Sequence, residues 1–291
     1  MLTPSHKGGY LEGEGEYSPI EHLAKTVALS SFDWKEVYFG MLTACFDASG
    51  KEADQKYLVV AGFVSVANDW TDFDKLWRAR LAIEGKTYFH RSEYGAVVKK
   101  GTEREKFFLD LIEIARSHAY RKVGCIVPIE LFRKMVSVEL REYFFLHSYV
   151  MASLVAMSQV MKWRQNESGF RDTPIRWIFE RGDDGDTLLM KYMRSAGMRD
   201  PDFEFGKDAT LPSGEEVKAF TPLQAADFLA YELFQVGQHY DNNCTRRPDY
   251  NYSFIDAFNE KIGEPCLLAE ADLRKYEDLF KTVQNLERSE R

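Results

Sequence analysis

Long apolar runs are missing from this 291-residue chain. The longest clean one, Leu58 to Val64, is far too short to span a bilayer. The first thirty residues hold Gly8, Gly9, Gly13 and Gly15 among several charges, with no apolar stretch of the kind a secretory signal needs. A cytoplasmic location with no membrane partner is therefore expected. Cysteine is scarce. Cys45, Cys125, Cys244 and Cys266 are far apart, so no CxxC or Cys/His spacing points to zinc. Cys45 and Cys125 fall in strand-like runs and read as small core residues. Positive charge is in deficit too: the formal charge is -8 and the pI about 5.4. That argues against broad adhesion to nucleic acid, while leaving room for a local basic groove. Internal repeats and low-complexity segments are also absent.

What is present is ample core material, with 45% hydrophobic and 14% aromatic residues. Residues 1–36 read as a loosely packed arm with a short helix near 19–30. Met41 to Asp47 and Tyr57 to Val66 read as strands of an antiparallel hairpin, joined by a polar loop with its turn at Ser49-Gly50. In the first, Leu42, Ala44 and Phe46 share one face, and Thr43, Cys45 and Asp47 the other. A helix is expected from Asp69 to Leu81, a loop over Phe89-His90-Arg91-Ser92-Glu93, and an amphipathic helix from Glu103 to His118. A third strand, Arg121 to Pro128, precedes a short helix over 129–137. A long, central helix follows from Glu142 to Arg164. Pro174 to Glu180 is a fourth strand, Asp184 to Ala196 a helix, and Asp202 to Gly206 a short fifth strand. Thr221 is a natural N-cap, with Pro222 opening a helix to about Gln235. The tail reads as a loop (238–252) and helices near 253–261 and 269–287. This order predicts three antiparallel strands, then two reached by helical crossovers and parallel to the first. One domain spans 37–237, with a helical insertion near 69–118. Residues 238–291 pack on it as a helical extension.

Three carboxylates stand where apolar residues would fold more easily. Asp47 ends the first strand and Glu180 the fourth. Ligands gather beyond the carboxyl ends of strands joined by helical crossovers, and adjacent parallel strands would set these two acids side by side. Asp227 has Leu223, Ala226, Ala230, Tyr231 and Phe234 as helical neighbours, so it should point at the sheet. Ala225, Ala226 and Ala230 let that helix come close. Carboxylates gathered at a core edge repel unless something positive sits among them. Hard oxygen ligands suit Mg²⁺ or Mn²⁺, and Asp183 is a fourth candidate ligand. Such a site activates water against a phosphodiester.

Each acid also has a plainer explanation: a turn acceptor for Asp47, a surface ion pair with Arg176 or Arg181 for Glu180, helix capping for Asp183 and Asp184. Joint placement by the topology favours the site. Candidate substrate contacts are Ser49 and Gly50 at the turn, His90 and Glu93 in the loop, Lys207, Lys218 and Gln224. The aromatic string Tyr240, Tyr250, Tyr252 and Phe254, with Arg246 and Arg247, reads chiefly as tail packing.

The strand ending Asp47-Ala48-Ser49-Gly50, the apolar second strand, the Phe89-His90-Arg91-Ser92-Glu93 segment and the late Leu223-Gln224-Ala225-Ala226-Asp227 helix resemble one family. It is a widespread bacterial and phage domain family of unknown function with a ribonuclease-H-like fold. The likeness covers roughly residues 40–237. Ala48 departs from it where members often carry Glu, and Asp208 to Glu216 looks like an insertion. The resemblance implies a mixed five-stranded sheet and an acidic metal cluster of Asp47, Glu180 and Asp227. The expected function is a metal-dependent nuclease or phosphodiester hydrolase acting on nucleic acid or a nucleotide. The alternatives are a nucleotide-handling phosphohydrolase, or a non-catalytic binding module such as one in phage defence.

Overall fold

A computed structural model describes residues 41–51, 55–95, 98–183, 185–239, 254, 257–258 and 266–289. The arm, its expected short helix, Cys244, Asp184 and most of the aromatic string lie outside these residues. The chain is an α/β fold. Strand β1 (Leu42–Ser49) pairs antiparallel with β2 (Tyr57–Val66), and β2 with β3 (Arg121–Pro128). On its other side β1 takes β4 (Ile175–Glu180) in parallel, and β4 takes β5 (Asp202–Glu204) in parallel. These five strands stand in the expected order and directions.

The sheet has a sixth strand. The two residues of β8 (Cys266–Leu267) run parallel to β3 at the far edge, in the order β5-β4-β1-β2-β3-β8. Two residues carry no periodicity, so nothing local marks them as a strand. Two more short strands, β6 (Ala209–Thr210) and β7 (Glu216–Val217), make a separate hairpin out of the stretch between β5 and the last core helix.

Strand alternation splits the core. Leu42, Ala44, Phe46, Leu58, Val60 and Val64 join one apolar cluster; Cys45, Val59, Ala61 and Phe63 join another on the opposite face. The first is covered by α5 (Ser148–Asn166). The second is covered by α1 (Ala67–Ile83), α2 (Glu103–His118) and α7 (Thr221–Gln238). All ten residues of β2 are buried, as a strand covered on both faces must be. The remaining helices are α3 (Ile129–Met135), α4 (Val138–Tyr143), α6 (Asp186–Ser195) and α8 (Glu270–Ser289). Among the described residues, no helix is long and apolar enough to cross a membrane.

Two expectations need correction. The helix expected from Glu142 to Arg164 is broken. Helix α4 stops at Tyr143, Phe145 takes a left-handed φ of 53°, and α5 begins at Ser148. Leu146 N donates to Arg141 O at 2.7 Å and Phe145 N to Glu142 O at 3.4 Å. That is the paired closure of a Schellman motif, made here without the glycine that would have announced it. His147 then caps α5, its Nδ1 accepting from Tyr149 N at 3.3 Å. Second, Thr221 lies inside α7 and Phe220 holds the cap position. The Thr221 hydroxyl instead donates to Asp74 Oδ1 at 2.5 Å, tying the start of α7 to α1.

Close approach is built from both sides of the sheet. A Cβ at Gly62 would lie 1.8 Å from Cys45 O on the neighbouring strand, and one at Gly124 would lie 2.6 Å from Leu233 Cδ1 of α7. Backbone cannot yield as a side chain tip can, so Gly62→Ala is expected to cost about 3 kcal/mol or more. A urea melt of the variant checks this.

Candidate functional site

Parallel register decides which acids meet. Phe46 stands opposite Phe179, and both belong to the α5-side core. Asp47 and Glu180 come next on their strands, so both turn to the α7 side. There Asp47 is 6% exposed, and Asp227 reaches toward it from α7 at 8% exposed. The Asp47 and Glu180 carboxyls are hydrogen-bonded to each other, and Asp227 and Asp183 are near enough to act on Asp47 through charge. Burial, then the charges of Glu180 and Asp227, push the Asp47 carboxyl well above the usual carboxylate range. The charges of the other three acids thus all reach Asp47. Even so, among the described residues no three His, Cys, Asp or Glu side chains are set around a common point so as to hold an ion.

One wall of the site is held by buried struts. Gln224, 1% exposed, accepts through Oε1 from Trp77 Nε1 at 2.8 Å and from Phe89 N at 3.0 Å. Its Nε2 donates to Gly206 O at 2.7 Å. Gln224 was expected to contact substrate; its amide is instead a brace joining α1, the His90 segment and the end of β5. Asp227 accepts from Arg91 N at 2.6 Å through Oδ2, and its Oδ1 lies 3.2 Å from His90 Nδ1. That contact, against the opposing pull of partial burial, raises the His90 imidazole above its ordinary value.

His90 stays half exposed because its neighbours are pinned. Phe89 is ringed by Trp77, Tyr94, Phe107, Phe108 and Phe228. Arg91 starts a short 3-10 turn, Arg91–Tyr94, with a side chain only 1% exposed. Its Nε donates to Glu232 Oε1 at 2.8 Å and its Nη1 to Gly95 O at 2.6 Å. The guanidinium lies 4.5 Å from the Tyr231 ring centroid and 4.8 Å from that of Phe108. Sequence reasoning missed Arg91, since arginine is usually solvated. The signal was its place one residue past a histidine inside an aromatic-rich segment.

Beside them is a cleft of about 90 Å³ with Tyr88, His90, Glu93, Glu180, Lys207, Gln224 and Asp227 among its walls. Glu93 accepts from the Tyr88 hydroxyl at 2.6 Å at the rim. Lys207 lines the cleft from the turn three residues past the end of β5. Lys218 does not line the cleft; its Nζ lies 3.9 Å from Asp208 Oδ2 beside the β6–β7 hairpin. Ser49 ends β1 opposite Val59, while Gly50 turns with φ 93°. Gly50 has no room for a side chain, since a Cβ would meet Tyr57 O at 2.4 Å. Gly50 and Asp183 line a second cavity, on the other side of the sheet.

No family model, curated protein or solved structure matches the chain.

Gly206 sets the position of Glu180. A Cβ there would fall 2.7 Å from Glu180 Oε1, the tip of a flexible side chain. Gly206→Ala is therefore expected to leave the melting temperature within about 2 °C, the carboxylate swinging aside at a cost below roughly 1 kcal/mol. If Glu180 helps to hold a divalent cation, calorimetric Mn²⁺ affinity should fall about tenfold, the scale of displacing one supported ligand. Unchanged affinity would mean that Glu180 does not bind the ion.

Proposed function

We propose that the chain is a divalent-metal-dependent phosphodiester hydrolase, a nuclease of the ribonuclease-H-like class. The observation that carries this reading is the meeting of Asp47 and Glu180 near the carboxyl ends of β1 and β4, with Asp227 and Asp183 close enough to act on Asp47 and the Asp47 carboxyl raised by burial and then by its neighbours' charges. The strand order β5-β4-β1-β2-β3, with β1 to β3 antiparallel and β4 and β5 parallel to β1, supports the fold-class part. So does the likeness of the Asp47 and Asp227 segments to the domain family named above.

The donor set is all carboxylate oxygen, which suits Mg²⁺ or Mn²⁺. Asp47, Glu180 and Asp227 would hold the ion, with Asp183 as the fourth candidate. Side-chain rotation would then be needed, since the Asp47–Glu180 hydrogen bond now spends one carboxyl on the other. A bound cation supplies positive charge for the phosphate and lowers the pKa of water. The other groups have roles of their own. Asp227 orients His90 through Nδ1, Lys207 offers a cation to phosphate oxygen, and the buried Gln224 brace keeps the Lys207 turn against α7.

Calorimetric titration with Mg²⁺ and Mn²⁺, beside cleavage of end-labelled RNA and DNA, tests the proposal. Saturable binding, with cleavage that Asp227→Asn lowers by a factor of about 10³ or more, is the expected result. Protein that binds neither ion refutes it and leaves the cleft as the site of a binding module.

A further inference from the structure

We propose that the second cavity seats the phosphate of a nucleotide next to the attacked linkage, so that a single polynucleotide strand crosses the carboxyl edge of the sheet. The substrate class rests on the hydrolase reading above; the cavity and its lining do not.

The geometry starts from alternation along β1. Asp47 faces α7, so Ala48 faces α5. The cleft of Glu180, Asp227 and Lys207 opens on the α7 side. The second cavity, about 60 Å³, is lined by Ala48, Gly50, Lys51, His147, Tyr149 and Asp183, with Leu58 of the α5-side core beside them. Asp47 is buried, and its carboxyl feels Glu180 and Asp227, which line the cleft, and Asp183, which lines the second cavity. The carboxylates therefore form a ridge with a hollow on each flank. A ligand ending at the carboxylates would need only one hollow. A chain continuing past them would use both.

The lining suits an anion. Lys51 is an exposed cation at the turn after β1. His147 accepts from Tyr149 N through Nδ1 at 3.3 Å, which puts the ring proton of the neutral imidazole on Nε2. The cavity thus sets one ammonium beside a histidine ring, where the cleft offers Lys207 and His90. Asp183 is the opposing charge in the lining, and it belongs with the cation-holding carboxylates. Size argues for one strand. At roughly 10–15 Å³ per water by the same measure, the cavity has room for a phosphate group and not for a base pair.

Binding of a short fluorescent single strand, RNA in one arm and DNA in the other, tests this by anisotropy without divalent ion and then with Ca²⁺. Lys51→Glu should weaken binding about tenfold and lower the salt slope by about one. Lys162→Glu, the same charge change on the exposed side of α5, should leave the dissociation constant unchanged. Equal effects of the two variants, or no binding by the wild type, overturn the proposal. With Mg²⁺ or Mn²⁺, end-labelled strands should give internal fragments; release of terminal mononucleotides alone would overturn it. Binding that depends on Lys51 without cleavage supports the subsite and removes the hydrolase reading instead.

Discussion

Asp47→Asn is expected to stabilise the metal-free protein while abolishing its stabilisation by Mg²⁺ or Mn²⁺. The sign follows from linkage. Burial and three neighbouring acids raise the folded-state value of Asp47 well above that of the unfolded chain. The folded protein therefore binds a proton that the unfolded chain has already released, and stability falls as pH rises from about 4 to the raised value. The limit is about 1.4 kcal/mol for each pH unit of that window. Asparagine keeps the shape, donates to Glu180 as the protonated acid does, and never ionises. The wild type should accordingly lose stability against the variant as pH rises, and the two curves should converge near pH 4. At pH 8 the variant should melt above the wild type, and the gap should close as pH falls toward 4.

Metal reverses the ranking. Ion at a hundred times its dissociation constant adds about 2.7 kcal/mol to a protein that binds it only when folded. The wild type should gain that amount and Asp47→Asn should gain little. Cleavage should fall in the variant by a factor of about 10³ or more. Two thermal series, with EDTA and with Mn²⁺, separate the effects. An asparagine variant less stable than wild type in EDTA at pH 8 would mean that Asp47 carries its charge without penalty. The burden that motivates the metal proposal would then be absent.

The strand order and the meeting of Asp47 with Glu180 were legible because period-two alternation and crossover rules are local and general. Phe46 and Phe179 announce their faces, and the next residue on each strand inherits the opposite one. What escaped depended on partners distant in sequence. Nothing near Cys266 shows that Ile126 O waits to accept from Leu268 N at 3.0 Å, the bond that fastens β8 beside β3. Phe145 adopts a glycine's conformation because its flanks, Phe144 and Leu146, are buried. Gln224 reads in the sequence as a candidate substrate contact, while in the structure Trp77, Phe89 and Gly206 use both ends of its amide. Asp227 was readable as an intruder in an apolar stripe; the residue that holds it was not.

Arg91→Met is the substitution expected to cost the protein most among those that leave the acids intact. It removes the guanidinium from Glu232 in a place where the two side chains are 1% and 4% exposed. Removing one partner of a buried ion pair costs about 3–5 kcal/mol, because the survivor keeps its desolvation penalty. For a chain of this size that is a fall of roughly 6–20 °C in melting temperature. Methionine still fills part of the space between Phe108 and Tyr231, so lost packing is the smaller share. Arg91→Lys should recover little, since one ammonium cannot reach Glu232 Oε1 and Gly95 O as the fork does while lying flat on Tyr231. The double variant Arg91→Met with Glu232→Leu removes both charges and should regain most of the loss. Its metal affinity should still be impaired. Arg91 N holds Asp227 Oδ2 at 2.6 Å, and the turn that presents that N–H is clamped by the side chain now missing. Stability that returns without affinity would assign Arg91 a positioning role. If Arg91→Met alone loses less than about 1 kcal/mol, the pair is not the clamp described here.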